Sequence, residues 1–148
     1  GDSTADLDKD GQTSLLEAWL IAARRTAAFY EEEGRLATEH SLLDDNGDGK
    51  GTQSDWFRGF QVTKKSADEG LLPDGLRAHQ FHLIPSANER KLTAEQRAER
   101  DALELELARH RSRKTKLNDD EYYERLEEIL REMSRIYFPE KQIKPNKE

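Results

Sequence analysis

Two short stretches of the chain place oxygen-bearing side chains at alternate positions and follow them with a glycine. The first stretch runs from Asp6 to Glu17 and the second from Asp44 to Asp55. Side-chain and backbone oxygens spaced in this way can converge on one point, and hard oxygen donors suit calcium. The glycine supplies the positive φ that a side chain resists. These stretches, called loop 1 and loop 2 below, constrain the fold more than any other feature of the sequence.

Both loops resemble the calcium loop of the EF-hand, in which the first, third, fifth, seventh, ninth and twelfth residues bind the ion. The resemblance implies two calcium sites, with the seventh residue contributing its backbone carbonyl. The implied ligands of loop 1 are Asp6, Asp8, Asp10, Gln12, Ser14 and Glu17, and those of loop 2 are Asp44, Asn46, Asp48, Lys50, Thr52 and Asp55. The alternatives are an acidic surface loop for the first stretch and a metal-free turn rich in Asp, Asn and Gly for the second.

The two loops differ from the EF-hand pattern in ways that affect the expected binding. Asp55 is one methylene shorter than glutamate, so we expect loop 2 to bind calcium more weakly and to tolerate magnesium. The eighth position, which usually holds a branched apolar residue that pairs the two loops, is Thr13 in loop 1 and Gly51 in loop 2. We therefore expect coupling between the loops to be either loose or absent, and we assume no cooperativity between the sites.

The spacing of apolar residues predicts an all-α fold in which helices flank both loops. We expect a long helix after loop 1, a shorter helix entering loop 2 and an exiting helix that carries Trp56, Phe57 and Phe60. These aromatic residues, together with Trp19, are predicted to dominate a small core. The predicted organisation is an EF-hand-like region over 1–65, a connecting segment over 66–92, a helical hairpin over 93–138 and a polar tail over 139–148.

The hairpin prediction rests on capping signals and on an apolar seam. Thr93 and Gln96 form a capping box, and Asn118 or Asp119 caps the second helix. The seam of that helix has the alternating spacing of a coiled coil and consists of Tyr122, Leu126, Ile129, Met133 and Ile136. Such a seam allows either an intramolecular hairpin or self-association.

Composition limits the classes of function. The formal net charge of −7 becomes −3 with two bound divalent cations, and no basic excess indicates nucleic acid. No apolar run approaches the roughly 20 residues of a membrane span. Cysteine is absent, and we find no nucleophile motif, phosphate-binding glycine loop or acid–base carboxylate pair, so no enzyme activity is predicted for these residues.

The sequence contains a weak signal for a zinc site in His40, His79 and His82. The signal is weak because no catalytic glutamate adjoins these histidines.

A second resemblance covers residues 14–40, with its most specific part at 35–40. This segment is similar to the region that follows the core domain in bacterial proteins related to caspases and legumain-type cysteine peptidases. The resemblance implies a larger bacterial protein with a peptidase-like domain before Gly1, and we expect an exported or extracytoplasmic location. Because the chain has no cysteine, no peptidase chemistry is carried over to it.

Together these features predict a structural calcium-binding helical module with a protein partner or an upstream domain. A calcium sensor is a weaker hypothesis, because sensors open a methionine-rich groove and this chain has one methionine, Met133. The alternative function is a protein interaction or oligomerisation module that acts through the C-terminal hairpin.

Overall fold

The computed structural model describes residues 5–38, 40–63 and 71–138, which form two compact units, Gly1–Lys91 and Leu92–Glu148. The predicted polar tail over 139–148 and the start of the predicted connecting segment lie outside the described residues. The helices are α1 (Leu15–Glu32), α2 (Leu76–Gln80), α3 (Ala94–Ser112) and α4 (Asp119–Tyr137). The strands are β1 (Thr13–Ser14), β2 (Leu42–Leu43), β3 (Thr52–Gln53), β4 (Phe57–Arg58), β5 (Gln61–Val62) and β6 (His82–Ile84). Short 3-10 helices span Ser54–Trp56, Glu89–Lys91 and Lys114–Lys116.

The prediction of an all-α fold is wrong. In the described part of the chain, three antiparallel strand pairs accompany the helices: β1 with β6, β2 with β3, and β4 with β5. Each strand is only two or three residues long, so none is long enough to show the alternation by which a strand is recognised in a sequence.

The surroundings of loop 2 differ most from the prediction. A strand, β2, enters the loop in place of a helix, and it pairs with β3, which lies within the second half of the loop. The aromatic residues that follow do not form the predicted α-helix: Trp56 ends a 3-10 helix, and Gly59, at φ 62°, opens a two-residue turn between β4 and β5. Glycine at the first position of such a turn matches the twist of the flanking strands and favours a hairpin.

The core of the first unit forms on one face of α1. Leu16 and Leu20 are buried there against Ala78 of α2. Trp19 meets Phe57 edge to face, with ring centroids 5.6 Å apart. The predicted aromatic core is therefore present in part: Trp19, Phe57 and Phe60 pack against the core, whereas Trp56 is 47% exposed.

The described end of the predicted connecting segment is an integral part of the first unit. Helix α2 packs on α1, and β6 pairs with β1 at the end of loop 1. Gly75, at φ 100°, precedes α2, and a side chain there would meet the ring of Phe57 at 2.7 Å. Residues 71–91 are thus folded against both loops.

The second unit is a hairpin of α3 and α4. Both predicted caps are present, with Thr93 and Gln96 forming a capping box and Asn118 capping α4. Leu103, Ile129 and Ile136 form its buried core. The ring of His110, near the end of α3, forms a hydrogen bond with the carbonyl of Tyr122, near the start of α4, and the earlier Glu106 forms an ion pair with the later Arg125. The two helices therefore run in opposite directions. None of the described helices is both long enough and apolar enough to cross a membrane.

Candidate metal centres

Loop 1 brings three carboxylates together on one side of a turn. Asp6, Asp8 and Asp10 each place an oxygen within 4.8 Å of the others. Backbone amides orient these groups: Gly11 donates to Asp6 Oδ2 at 3.0 Å, and Gln12 donates to Asp10 Oδ1 at 2.8 Å. The three carboxylates are therefore held at a spacing that one cation could bridge.

Glu17, the last residue of loop 1, is buried, with only 1% of its surface exposed. Its Oε1 accepts the backbone amide of Leu7 at 2.7 Å, and its Oε2 accepts both the amide and the hydroxyl of Ser14, at 2.7 and 2.8 Å. Ser14 in turn accepts the Glu17 amide, so the pair is also the capping box of α1. The predicted ninth and twelfth ligands of loop 1 are therefore in direct contact.

The electrostatics of loop 1 disfavour a negative charge on Asp8. Burial raises the pKa of Asp8 above its ordinary value, and the charge of Asp10 acts in the same direction. A cation among these oxygens would relieve that repulsion. His79 of α2, which the sequence did not connect with loop 1, lies with its Nε2 3.3 Å from Asp8 Oδ2.

Loop 2 repeats the backbone arrangement of loop 1. Asp44 Oδ2 accepts the amide of Gly49 at 3.0 Å, Asn46 Oδ1 accepts that of Asp48 at 2.9 Å, and Asp48 Oδ1 accepts that of Lys50 at 2.8 Å. These contacts correspond position by position to those of Asp6, Asp8 and Asp10 in loop 1. Both stretches therefore adopt the same turn despite their different flanking elements.

The end of loop 2 departs from its sequence prediction. Thr52 is buried, but Asp55 is exposed in the 3-10 helix and lines a shallow cavity with Leu20 and Arg24. The carboxylate that contacts Thr52 is Asp74, at 2.6 Å. The sequence offered no signal for Asp74, because Pro73, Asp74 and Gly75 together are typical of a turn.

The two loops are not joined through their eighth residues. Thr13 of loop 1 pairs with Ile84 of β6, whereas loop 2 is closed by its own flanking strands. Gln12 of loop 1 makes a second contact with the segment around β6, since its side-chain oxygen accepts a hydrogen bond from the amide of Ser86 at 3.2 Å. The segment 82–86 therefore serves loop 1 as a backbone partner, which sequence spacing did not reveal.

The histidines do not form a metal cluster with other ligands among the described residues, where the acidic triad of loop 1 is the cluster with metal-ligand spacing. His82 Nδ1 lies 3.8 Å from Glu89 Oε1, whereas His79 lies beside Asp8. Comparisons of the chain with protein-family models, curated proteins and solved structures gave no match.

Proposed function

We propose that this chain is a structural calcium-binding module with one site in each loop. The observation that carries the proposal is loop 1, where three carboxylates lie within 4.8 Å of one another and the buried Glu17 follows them at the EF-hand spacing in sequence. Oxygen ligands alone favour calcium or magnesium over softer metals. The resemblance of residues 14–40 to the region after a peptidase-like core leads us to place the module in a larger protein.

A structural role accounts for the position of the sites better than a sensor role. Loop 1 contains β1 and the first turn of α1, the helix that carries the core residues Leu16 and Leu20. Its partner strand β6 follows α2, which packs on α1. Met133 lies in the hairpin, where it packs against Ile129 and its neighbours. A bound ion would therefore stabilise the junction of these elements rather than open a methionine-lined groove.

Thermal unfolding in calcium and in chelator tests this proposal. An ion that binds only the folded state stabilises it by about 2.7 kcal/mol per site when free calcium is a hundredfold above Kd. For a unit of this size we expect a rise in Tm on the order of 10 °C. The control is a monovalent salt at the same ionic strength as the calcium solution. An unchanged Tm at several millimolar free calcium would reject the proposal.

A second candidate function, self-association through the hairpin, is favoured by a different observation. Tyr123, Leu130 and Tyr137 repeat every seven residues along α4 and are 55%, 45% and 43% exposed. Leu126, a half-buried residue of the predicted seam, lies beside Tyr123 and Leu130 on this exposed face. Light scattering of the chain and of Leu130→Ala tests this function: a dimer that the substitution weakens supports it, and a monomer at all concentrations rejects it.

A further inference from the structure

Loop 2 and a distant segment of the first unit are bound to each other by five hydrogen bonds. Asp74 accepts from Asp45 and Thr52, Asp45 accepts from the amides of Gly75 and Ala78, and Asn46 donates to the carbonyl of Leu72. The segment 72–78 begins 17 residues after the last residue of loop 2. It therefore belongs to the loop in space although not in sequence.

The two contacts of Asp74 in loop 2 match two of the three that Glu17 makes in loop 1. Glu17 accepts the amide of Leu7, the second residue of its loop, and the hydroxyl of Ser14, the ninth. Asp74 accepts the amide of Asp45, the second residue of loop 2, at 3.2 Å, and the hydroxyl of Thr52, the ninth, at 2.6 Å. Since the remaining turn also matches, the two carboxylates occupy equivalent places.

From this equivalence we propose that Asp74, and not Asp55, is the terminal carboxylate ligand of the metal in loop 2. The proposal rests on the calcium function proposed above and changes the composition of its second site. The ligands then come from Asp44–Thr52 and from Asp74, and the site is discontinuous in sequence.

Burial and charge support the same assignment. Asp74 is 5% exposed, and its hydrogen-bond partners among the described residues are a neutral amide and a neutral hydroxyl. A buried carboxylate is costly unless its charge is balanced, and an adjacent divalent cation balances it. Asp55 is exposed, so water already solvates its charge, and a bound cation would stabilise it less than it would stabilise Asp74.

A discontinuous site also explains how an aspartate side chain can be long enough to bind the ion in loop 2. Aspartate at the twelfth position of a continuous loop is one methylene too short for the usual bidentate contact. Asp74 comes from a separate segment, so its backbone can approach the loop independently of the loop's own path. An aspartate is then long enough, and the affinity of loop 2 is not limited by Asp55.

Calcium titration calorimetry of the full chain with Asp74→Asn and Asp55→Asn tests the proposal, since both variants make the same chemical change. Asparagine at 74 keeps both contacts, because its oxygen can accept from Asp45 and its amide can donate to the Thr52 oxygen. We expect Asp74→Asn to weaken the second binding event by about two orders of magnitude, as ligand charge sets affinity in such loops. Asp55→Asn is expected to leave both events within about twofold of the wild type.

The outcomes separate this proposal from the one on which it rests. If the wild-type chain binds no calcium, the proposed function fails. If it binds two ions and Asp55→Asn removes one while Asp74→Asn does not, the function stands and the assignment of Asp74 is overturned. Binding of a single ion, lost with Glu17→Gln, also overturns it.

A measurement on the wild-type chain covers the case in which Asp74→Asn does not fold. Carboxyl ¹³C resonances of aspartates respond when a cation binds their oxygens. During a calcium titration we expect the Asp74 signal to shift with the filling of loop 2 and the Asp55 signal to stay in place. The opposite pattern would refute the assignment without any substitution.

Discussion

Replacing Glu17 by Gln is expected to abolish the calcium site of loop 1 and to destabilise the first unit even without calcium. Glutamine is nearly the same size but has a single acceptor oxygen. It cannot accept from Leu7 at one end and from the amide and hydroxyl of Ser14 at the other, as Glu17 does. Whichever way the amide is turned, one of these backbone donors faces an NH₂ group.

The expected cost in the absence of calcium is about 2 kcal/mol, because a buried amide left without an acceptor costs roughly 1–3 kcal/mol. In calcium the difference from the wild type should increase by the binding energy of the lost site, about 2.7 kcal/mol at a hundredfold excess over Kd. Denaturant unfolding in chelator and in calcium measures both quantities.

The matched control for this substitution is Glu31→Gln on the same helix. Glu31 is exposed near the end of α1. We therefore expect Glu31→Gln to lower the free energy of unfolding by less than about 0.5 kcal/mol, both in chelator and in calcium. A Glu17→Gln chain that gains as much stability from calcium as the wild type would show that Glu17 acts only as a helix cap.

Replacing Ile129 by Ala is expected to destabilise the hairpin by about 3 kcal/mol. Ile129 is fully buried at 0% exposure, between Leu103 and Ile136 in the core of the second unit. Removal of a buried isoleucine side chain to the β-carbon costs roughly 2–5 kcal/mol through lost burial and the cavity left behind. Helix content measured by circular dichroism during denaturant unfolding gives the change.

Leu130→Ala is the neighbouring control, because Leu130 is 45% exposed on the outer side of the same helical turn. We expect it to cost less than about 1 kcal/mol, as alanine keeps the helix and little buried surface is lost. Equal effects of the two substitutions would mean that the outer face of α4 is buried in solution, which is the result expected of an oligomer.

The parts of the fold that the sequence predicts are those specified by local chemistry. Thr93 and Asn118 mark the starts of α3 and α4, because a side-chain oxygen at the N-cap satisfies a free backbone amide. The glycines at the sixth position of the loops, Gly11 and Gly49, mark turns at positive φ. The buried residues Tyr122, Ile129 and Ile136 follow the seven-residue spacing of the predicted seam.

The parts that the sequence does not predict depend on contacts between distant segments. The pairing of Thr13 with Ile84 joins residues 71 positions apart through a strand of two residues. Asp74 reaches loop 2 from a turn that has no metal-binding pattern of its own. Since backbone pairing and side-chain approach over such separations leave no local period, the all-α prediction and the choice of Asp55 followed from local pattern alone.

Equilibrium dialysis of the chelator-stripped chain against labelled calcium tests the calcium function most directly, because it counts bound ions whatever their heat of binding. At a free calcium concentration of a few millimolar, above the usual range of Kd for such loops, we predict two bound ions per chain, reduced to one by Glu17→Gln. A chain that binds no calcium under these conditions would contradict the central claim.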